Sequence, residues 1–203
     1  MPSNGPPDSY GEALSVRDGP RPASGETGSQ SAFPAAVQIR PVRTDEADRL
    51  FRLKSRLDRE SRFMLLEADE RAGIAEDPAD ELRVLAESPN STLLVAEAEG
   101  ELIGYVEATG GRYRRNRATA EVVLGVVQAA SGHGVGTALL RRLDHWARPA
   151  GLHRLELTVM AHNHRARRLY RRSGFVEEGC RRESLIVDGS PVDEVYMAKL
   201  LKH

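Results

Sequence analysis

The chain has 203 residues, 40% hydrophobic and 29% charged, with 29 Lys and Arg against 30 Asp and Glu. That length holds one domain of ordinary size with sequence to spare, and a net charge of −1 gives no general pull toward nucleic acid or an anionic membrane. No stretch reaches the ~20 apolar residues of a membrane span. The N-terminus lacks the basic start and apolar middle of a secretory signal, and a lone cysteine, Cys180, excludes an internal disulfide framework and a Cys-based zinc cluster. The expected location is the cytoplasm.

Residues 1–36 are rich in Pro, Gly and Ser and poor in large apolar side chains, a composition that cannot bury enough surface to offset chain entropy. They read as a disordered extension before a domain at 37–203. Val37–Val42 alternates apolar and polar residues, as a half-buried strand does. Thr44 is placed to cap a helix whose first turn carries Asp45 and Glu46 and whose apolar side is Leu50, Leu53 and Leu57. An irregular stretch around Phe63–Leu66 precedes a second helix from about Pro78 to Ser88.

Strands are then expected at Thr92–Ala98 and Glu101–Val106, joined by Glu99-Gly100, and at Ala118–Val127. A helix follows from about Gly134 to Ala150, its apolar face being Val135, Leu139, Leu140, Leu143 and Trp146 or Ala147. Leu155–Val159 reads as a strand and Asn163–Ser173 as a helix. Two last strands, Arg182–Val187 and Val192–Lys199, flank the turn Asp188-Gly189. The order β-α-α-β-β-β-α-β-α-β-β is that of a mixed α/β domain.

The first chemical signal lies between the strand Ala118–Val127 and the helix after it: Ser131-Gly132-His133-Gly134-Val135-Gly136-Thr137. Alternate glycines let backbone N–H groups approach a ligand, and a helix N-terminus adds unpaired donors and a positive dipole end, a combination suited to phosphate. The nucleotide P-loop needs Lys and then Ser or Thr after the last glycine, and the dinucleotide fingerprint needs two residues between its last two glycines; neither spacing is met here. The second signal is Asn163, Ala166 and Tyr170. On a helix they share one face, with about 10 Å between its ends.

Together these segments resemble the GNAT superfamily of N-acetyltransferases. That family's coenzyme A loop, Arg or Gln, two residues, Gly, one residue, Gly or Ala, falls on Ser131–Gly136, with Ser131 as a departure at the first position. Its strand followed by Asn, two residues, Ala, then Leu-Tyr and Gly-Phe falls on Leu155–Phe175, and the likeness covers nearly all of residues 37–203. The fold this implies is the GNAT acyl-CoA N-acyltransferase fold, a mixed sheet whose fourth and fifth strands are parallel but splayed apart. Acetyl-CoA, as cosubstrate, is expected in the splay. Its pantetheine would pair with the backbone of Val126 and Val127, its pyrophosphate would lie on Ser131, Gly132, His133, Gly134, Val135, Gly136 and Thr137, and its arm would meet Asn163 and Ala166.

The implied reaction is acetyl transfer to a primary amine by direct attack. An alkylamine with a pKa near ~10.4 is almost wholly protonated at neutral pH, so a base is needed. Glu121, at the foot of the strand leading into the splay, is the candidate, and a backbone N–H of Val126 or Val127 would hold the oxyanion. Tyr170 would protonate the leaving thiolate.

Acceptor choice is expected to reside in Arg59–Glu70 and Glu183–Val192. The expected acceptor is a small molecule such as an amino acid, polyamine or antibiotic amine; a protein N-terminus or lysine, and a non-catalytic acyl-CoA-binding module, stay open. A homodimer is allowed, and no nucleic acid or membrane partner is expected. No metal is expected, because His162 and His164 flank a turn with no third ligand in view. Cys180 has no base at recognisable spacing. The arginines of Arg165–Arg172 read as a solvated helix face, one of which could meet a coenzyme phosphate, and Arg112–Arg117 reads as a hairpin tip.

Overall fold

The computed structural model describes residues 36–74 and 78–202; the extension read from the sequence lies, apart from Ala36, outside them. The seven strands are β1 (Gln38–Pro41), β2 (Thr92–Ala98), β3 (Glu101–Gly110), β4 (Thr119–Val126), β5 (Arg154–Met160), β6 (Val176–Val187) and β7 (Ser190–Leu200). The helices are α1 (Ala47–Glu60), α2 (Arg71–Ile74), α3 (Pro78–Glu87), α4 (Val135–Ala147) and α5 (His164–Arg172). The strands form one sheet in the order β1-β2-β3-β4-β5-β7-β6.

Every neighbouring pair is antiparallel except β4 and β5, which are parallel and pair only at Thr119–Arg154, Ala120–Leu155 and Glu121–Glu156. Beyond Glu121 the two strands diverge, as the family resemblance implies. Helices cover both faces. A Cβ on Gly125 would strike Leu57 of α1 at 2.6 Å, whereas a Cβ on Gly136 of α4 would come within 3.8 Å of Leu124. Successive strand residues point to opposite faces, so α1 and α4 lie on opposite sides of the sheet. The apolar faces read from the sequence are the buried ones: Leu50, Leu53 and Leu57 on α1, and Val135, Leu139, Leu140, Leu143 and Ala147 on α4. Trp146 packs only partly against this core.

Several boundaries differ from the sequence reading. Thr44 opens a short 3₁₀ turn, Thr44–Glu46, and no side chain of the residue before it caps this turn. Instead the buried Glu46 carboxylate reaches back to accept the Arg43 N–H at 3.0 Å. Arg40 grips both oxygens of Glu46, at 2.6 and 2.8 Å, and also bonds Glu97 of β2; Arg49 joins both carboxylates. The irregular stretch contains the one-turn α2. β3 runs on to Gly110 and β6 begins at Val176, six residues ahead of Arg182. β6 is one of the sheet's two edge strands, exposed along its first eight residues and broken by two register shifts, so no apolar face marks it in the sequence.

Candidate active site

The backbone of β4 defines the splay. Val127 donates its N–H to Ile103 at 3.0 Å, and Gly111 donates to Thr119 at 3.0 Å. In an antiparallel ladder such bonded pairs recur at every second residue, so Thr119, Glu121, Val123, Gly125 and Val127 turn their peptide groups toward β3. The alternate residues turn theirs toward β5, as Ala118 does in accepting from His153 and Arg154. The last β4–β5 pair, Glu121 with Glu156, uses the Val122 N–H, and past it the peptide groups of Leu124 and Val126 face the open splay. The expectation for Val127 therefore needs correcting: its N–H is committed to Ile103 and its side chain is buried at 1% exposure. Leu124, not named from the sequence, shares this orientation with Val126; counting alternate residues back from Val126 finds it.

The glycine turn closes the far end of the splay. Gly132 and Gly134 have φ of 91° and 83°, the left-handed region that costs other residues about 1–2 kcal/mol. Gly134 is the N-cap of α4, and no side chain caps that end. The N–H groups of Val135, Gly136 and Thr137 therefore have no intrahelical acceptor and suit an anion. Ser131 is half-buried; Gly132, His133, Gly134 and Thr137 are exposed. Val135 brings only its peptide group, since its side chain is buried in the core at 1% exposure. Gly136 serves packing: a Cβ there would lie 2.9 Å from Leu169 of α5.

Asn163 caps α5, its side-chain oxygen accepting the Ala166 N–H at 3.1 Å. Ala166 is half-buried, and Tyr170 is buried with its ring 5.7 Å from that of Phe175. Burial pushes the Tyr170 phenol up to about 12, so it stays protonated throughout the physiological range. Among the arginines of this helix, Arg167 and Arg171 pair with Glu177 at 2.9 and 2.5 Å. Arg165 turns to the glycine turn: a Cβ on Gly132 would sit 3.7 Å from its guanidinium.

Glu121 is exposed on the α1 face, at the last paired position before the strands part. Thr109 lies opposite it, and the next residue of β3 on that face, Glu107, holds the buried Lys54 at 2.9 Å. The loop from Ser61 to Glu70 follows α1. It is tied down by Arg71 on the buried Asp58, by Phe63, whose ring lies 5.3 Å from that of His162, and by an ion pair from Arg62 to Asp188. The two segments expected to choose the acceptor thus meet. Arg112–Arg117 forms an exposed hairpin tip at the other end of β4, and the Cys180 thiol lies 3.9 Å from Asp193.

The profile of the acetyltransferase (GNAT) family matches residues 44–175. The chain belongs to the GNAT family. It is an N-acetyltransferase of that family. It is 31% identical over 120 residues to the L-amino acid N-acetyltransferase AaaT of Escherichia coli, a match covering 57% of this chain and 72% of that one. A GNAT-family acetyltransferase from Streptococcus pneumoniae superposes with a TM-score of 0.77 at 29% identity, covering 82% of this chain and 99% of that one. A phosphinothricin acetyltransferase from Sinorhizobium meliloti, solved in complex with acetyl-CoA, shares the fold with a TM-score of 0.68 at 20% identity, over 81% and 88% of the two chains.

The GNAT assignment accounts for the divergence of β4 from β5 and for the uncapped start of α4. Both leave backbone donors facing a cleft, and these fit a pantetheine amide and a pyrophosphate respectively. No described helix is long and apolar enough to cross a membrane.

Proposed function

We propose that this GNAT enzyme acetylates the amine of a small molecule of amino-acid type by direct attack. The observation that carries the reading is the splay itself, where β4 and β5 part after Glu121 and the peptide groups of Leu124 and Val126 are left facing no strand. Bound acetyl-CoA supplies an acetyl group activated as a thioester. Gly132–Thr137 and Arg165 would hold its pyrophosphate, and Asn163, Ala166 and the Val126 peptide group its arm. The N–H of Leu124 or Val126 would hold the developing oxyanion.

Glu121 takes the amine's proton. A strand rises about 3.3 Å per residue, so Glu121 lies roughly 10 Å along β4 from Leu124, and a water relays the proton. Tyr170 serves the departing sulfur. The acceptor enters on the α1 face, under the loop bearing Arg62 and Phe63. That loop is drawn down onto His162 and Asp188, which supports a compact acceptor, as does the likeness to an L-amino acid N-acetyltransferase. The test is coenzyme release across amino acids, polyamines, aminoglycosides and short peptides. Turnover of free amino acids supports the proposal; turnover of peptides alone would move the activity to protein acceptors.

A further inference from the structure

α1 ends on Glu60, whose carboxylate leaves the helix and reaches the far end of β4. One oxygen accepts the Gln128 backbone N–H at 2.8 Å, and Arg56, one turn back, holds the other at 2.6 Å. Nothing in α1 itself calls for this residue: a carboxylate at a helix C-terminus faces the negative end of the helix dipole. The side chain is 24% exposed. Burial acts to raise its pKa, but the Gln128 N–H and Arg56 outweigh it and keep the group below the ordinary carboxylate range.

Gln128 is the residue after Val127, whose N–H is already held by Ile103. The end of β4 is thus gripped from two directions, by β3 and by α1. Only the short 3₁₀ turn Gln128–Ala130 separates that grip from the glycine turn. We infer that Glu60 is a positioning residue for the coenzyme, fixing the end of β4 so that the Val126 peptide group and the glycine turn stand where pantetheine and pyrophosphate meet them. The inference rests on the coenzyme reading of the splay. It also joins the two substrates' sides, because Glu60 leads directly into the loop under which the acceptor is proposed to enter.

A proline at position 128 would secure the same turn by other means. It has no N–H to satisfy, its fixed φ suits the first position of a helical turn, and the extended Val127, with ψ of 149°, is the conformation a following proline demands. The experiment is calorimetric titration of the full chain with acetyl-CoA, with circular dichroism on every variant. A hydrogen bond to a charged group is worth enough for Glu60→Ala to raise the Kd about tenfold. Glu60→Gln, which keeps an acceptor oxygen, should stay within about threefold of wild type. Gln128→Pro should bind normally, and adding Glu60→Ala to it should cost nothing more.

Two results overturn the inference: a Glu60→Ala affinity equal to wild type, or the full loss persisting in the Gln128→Pro background. Where Glu60→Ala does not fold alone, the double variant decides, since it contains no amide left without its partner. Absence of acetyl-CoA binding by the wild-type chain would sink the coenzyme reading itself, and is seen in the same titrations.

Discussion

Replacing Tyr170 with phenylalanine separates its hydroxyl from its ring. Burial holds the phenol at a pKa of about 12, whereas a simple thiol has a pKa near ~8.5. Complete proton transfer from Tyr170 to the sulfur therefore runs uphill by roughly 3–4 units, or about 5 kcal/mol at ~1.4 kcal/mol per unit. Tyr170 acts better as a hydrogen-bond donor to the thiolate than as a full proton donor. A hydrogen bond to a charged group contributes about 1.5–3 kcal/mol, which corresponds to roughly ten- to a hundredfold in rate.

Tyr170→Phe should lower kcat within that range. The Kd for acetyl-CoA should change less than about twofold, because the ring and its contact with Phe175 remain. Single-turnover kinetics and calorimetry separate the two quantities. The raised pKa adds a second readout: the donating form persists to about pH 12, so wild-type kcat should show no alkaline decline near pH 10 from this group. An alkaline limb near pH 10 that vanishes in the phenylalanine variant would refute the buried-donor argument. Collapse of affinity with normal single-turnover chemistry would make Tyr170 a packing residue.

Gly134→Val places a β-branched residue at φ of 83° on an exposed helix start, so acetyl-CoA affinity should fall at least about tenfold while far-ultraviolet dichroism is retained; unchanged affinity in calorimetry would contradict the loop reading. Arg165→Ala should weaken acetyl-CoA binding severalfold and flatten its salt dependence, and should leave acetyl-pantetheine turnover unaffected, which locates the arginine at a phosphate. The Glu46 carboxyl is held at a pKa of about 2, chiefly by Arg40, so it contributes stability above its unfolded value of 4.5 and loses it as the pH falls from there toward 2. Urea titrations should show wild type losing about 3 kcal/mol from this group across that window and Glu46→Gln losing none of it.

What was legible in the sequence follows from where one-sided burial imposes a period. α1 and α4 each bury one face, and their leucines recur at helical spacing, so both helices were legible, and α4, read as about Gly134 to Ala150, spans Val135–Ala147. The turns Glu99-Gly100 and Asp188-Gly189 were legible because both residues of each adopt positive φ, which few residue types accept. The start of β6 was not, since an edge strand exposed on both sides carries Glu-Glu-Gly-Cys-Arg-Arg with no alternation. In the candidate site, residue types marked Asn163, Ala166, Tyr170 and the glycines. The choice among backbone donors had no residue type to mark it. Whether Leu124 or Val127 offers its N–H depends on which edge of β4 faces β3, a matter of register that side-chain identity does not encode.

The same register divides the chemistry between the faces of the sheet. Glu121 shares a face with Thr109 and Glu107, the face of α1. Tyr170 belongs to α5, which lies with α4 on the opposite face, since a Cβ on Gly136 of α4 would meet both Leu169 of α5 and Leu124 of β4. A base on one face and a phenol on the other, with the strand amides between them at the edge, suits a displacement in which the amine loses its proton on the side it enters and sulfur gains its partner on the side it leaves. A single acid–base residue serving both ends would have to reach through the sheet edge. In the proposed mechanism two residues divide the task, and this division predicts that Glu121→Gln and Tyr170→Phe act independently. Each change should alter its own step, and the combined loss in kcat/KM should be close to the product of the two single losses. A double variant no slower than Glu121→Gln alone would show that both residues serve one proton and would remove the division.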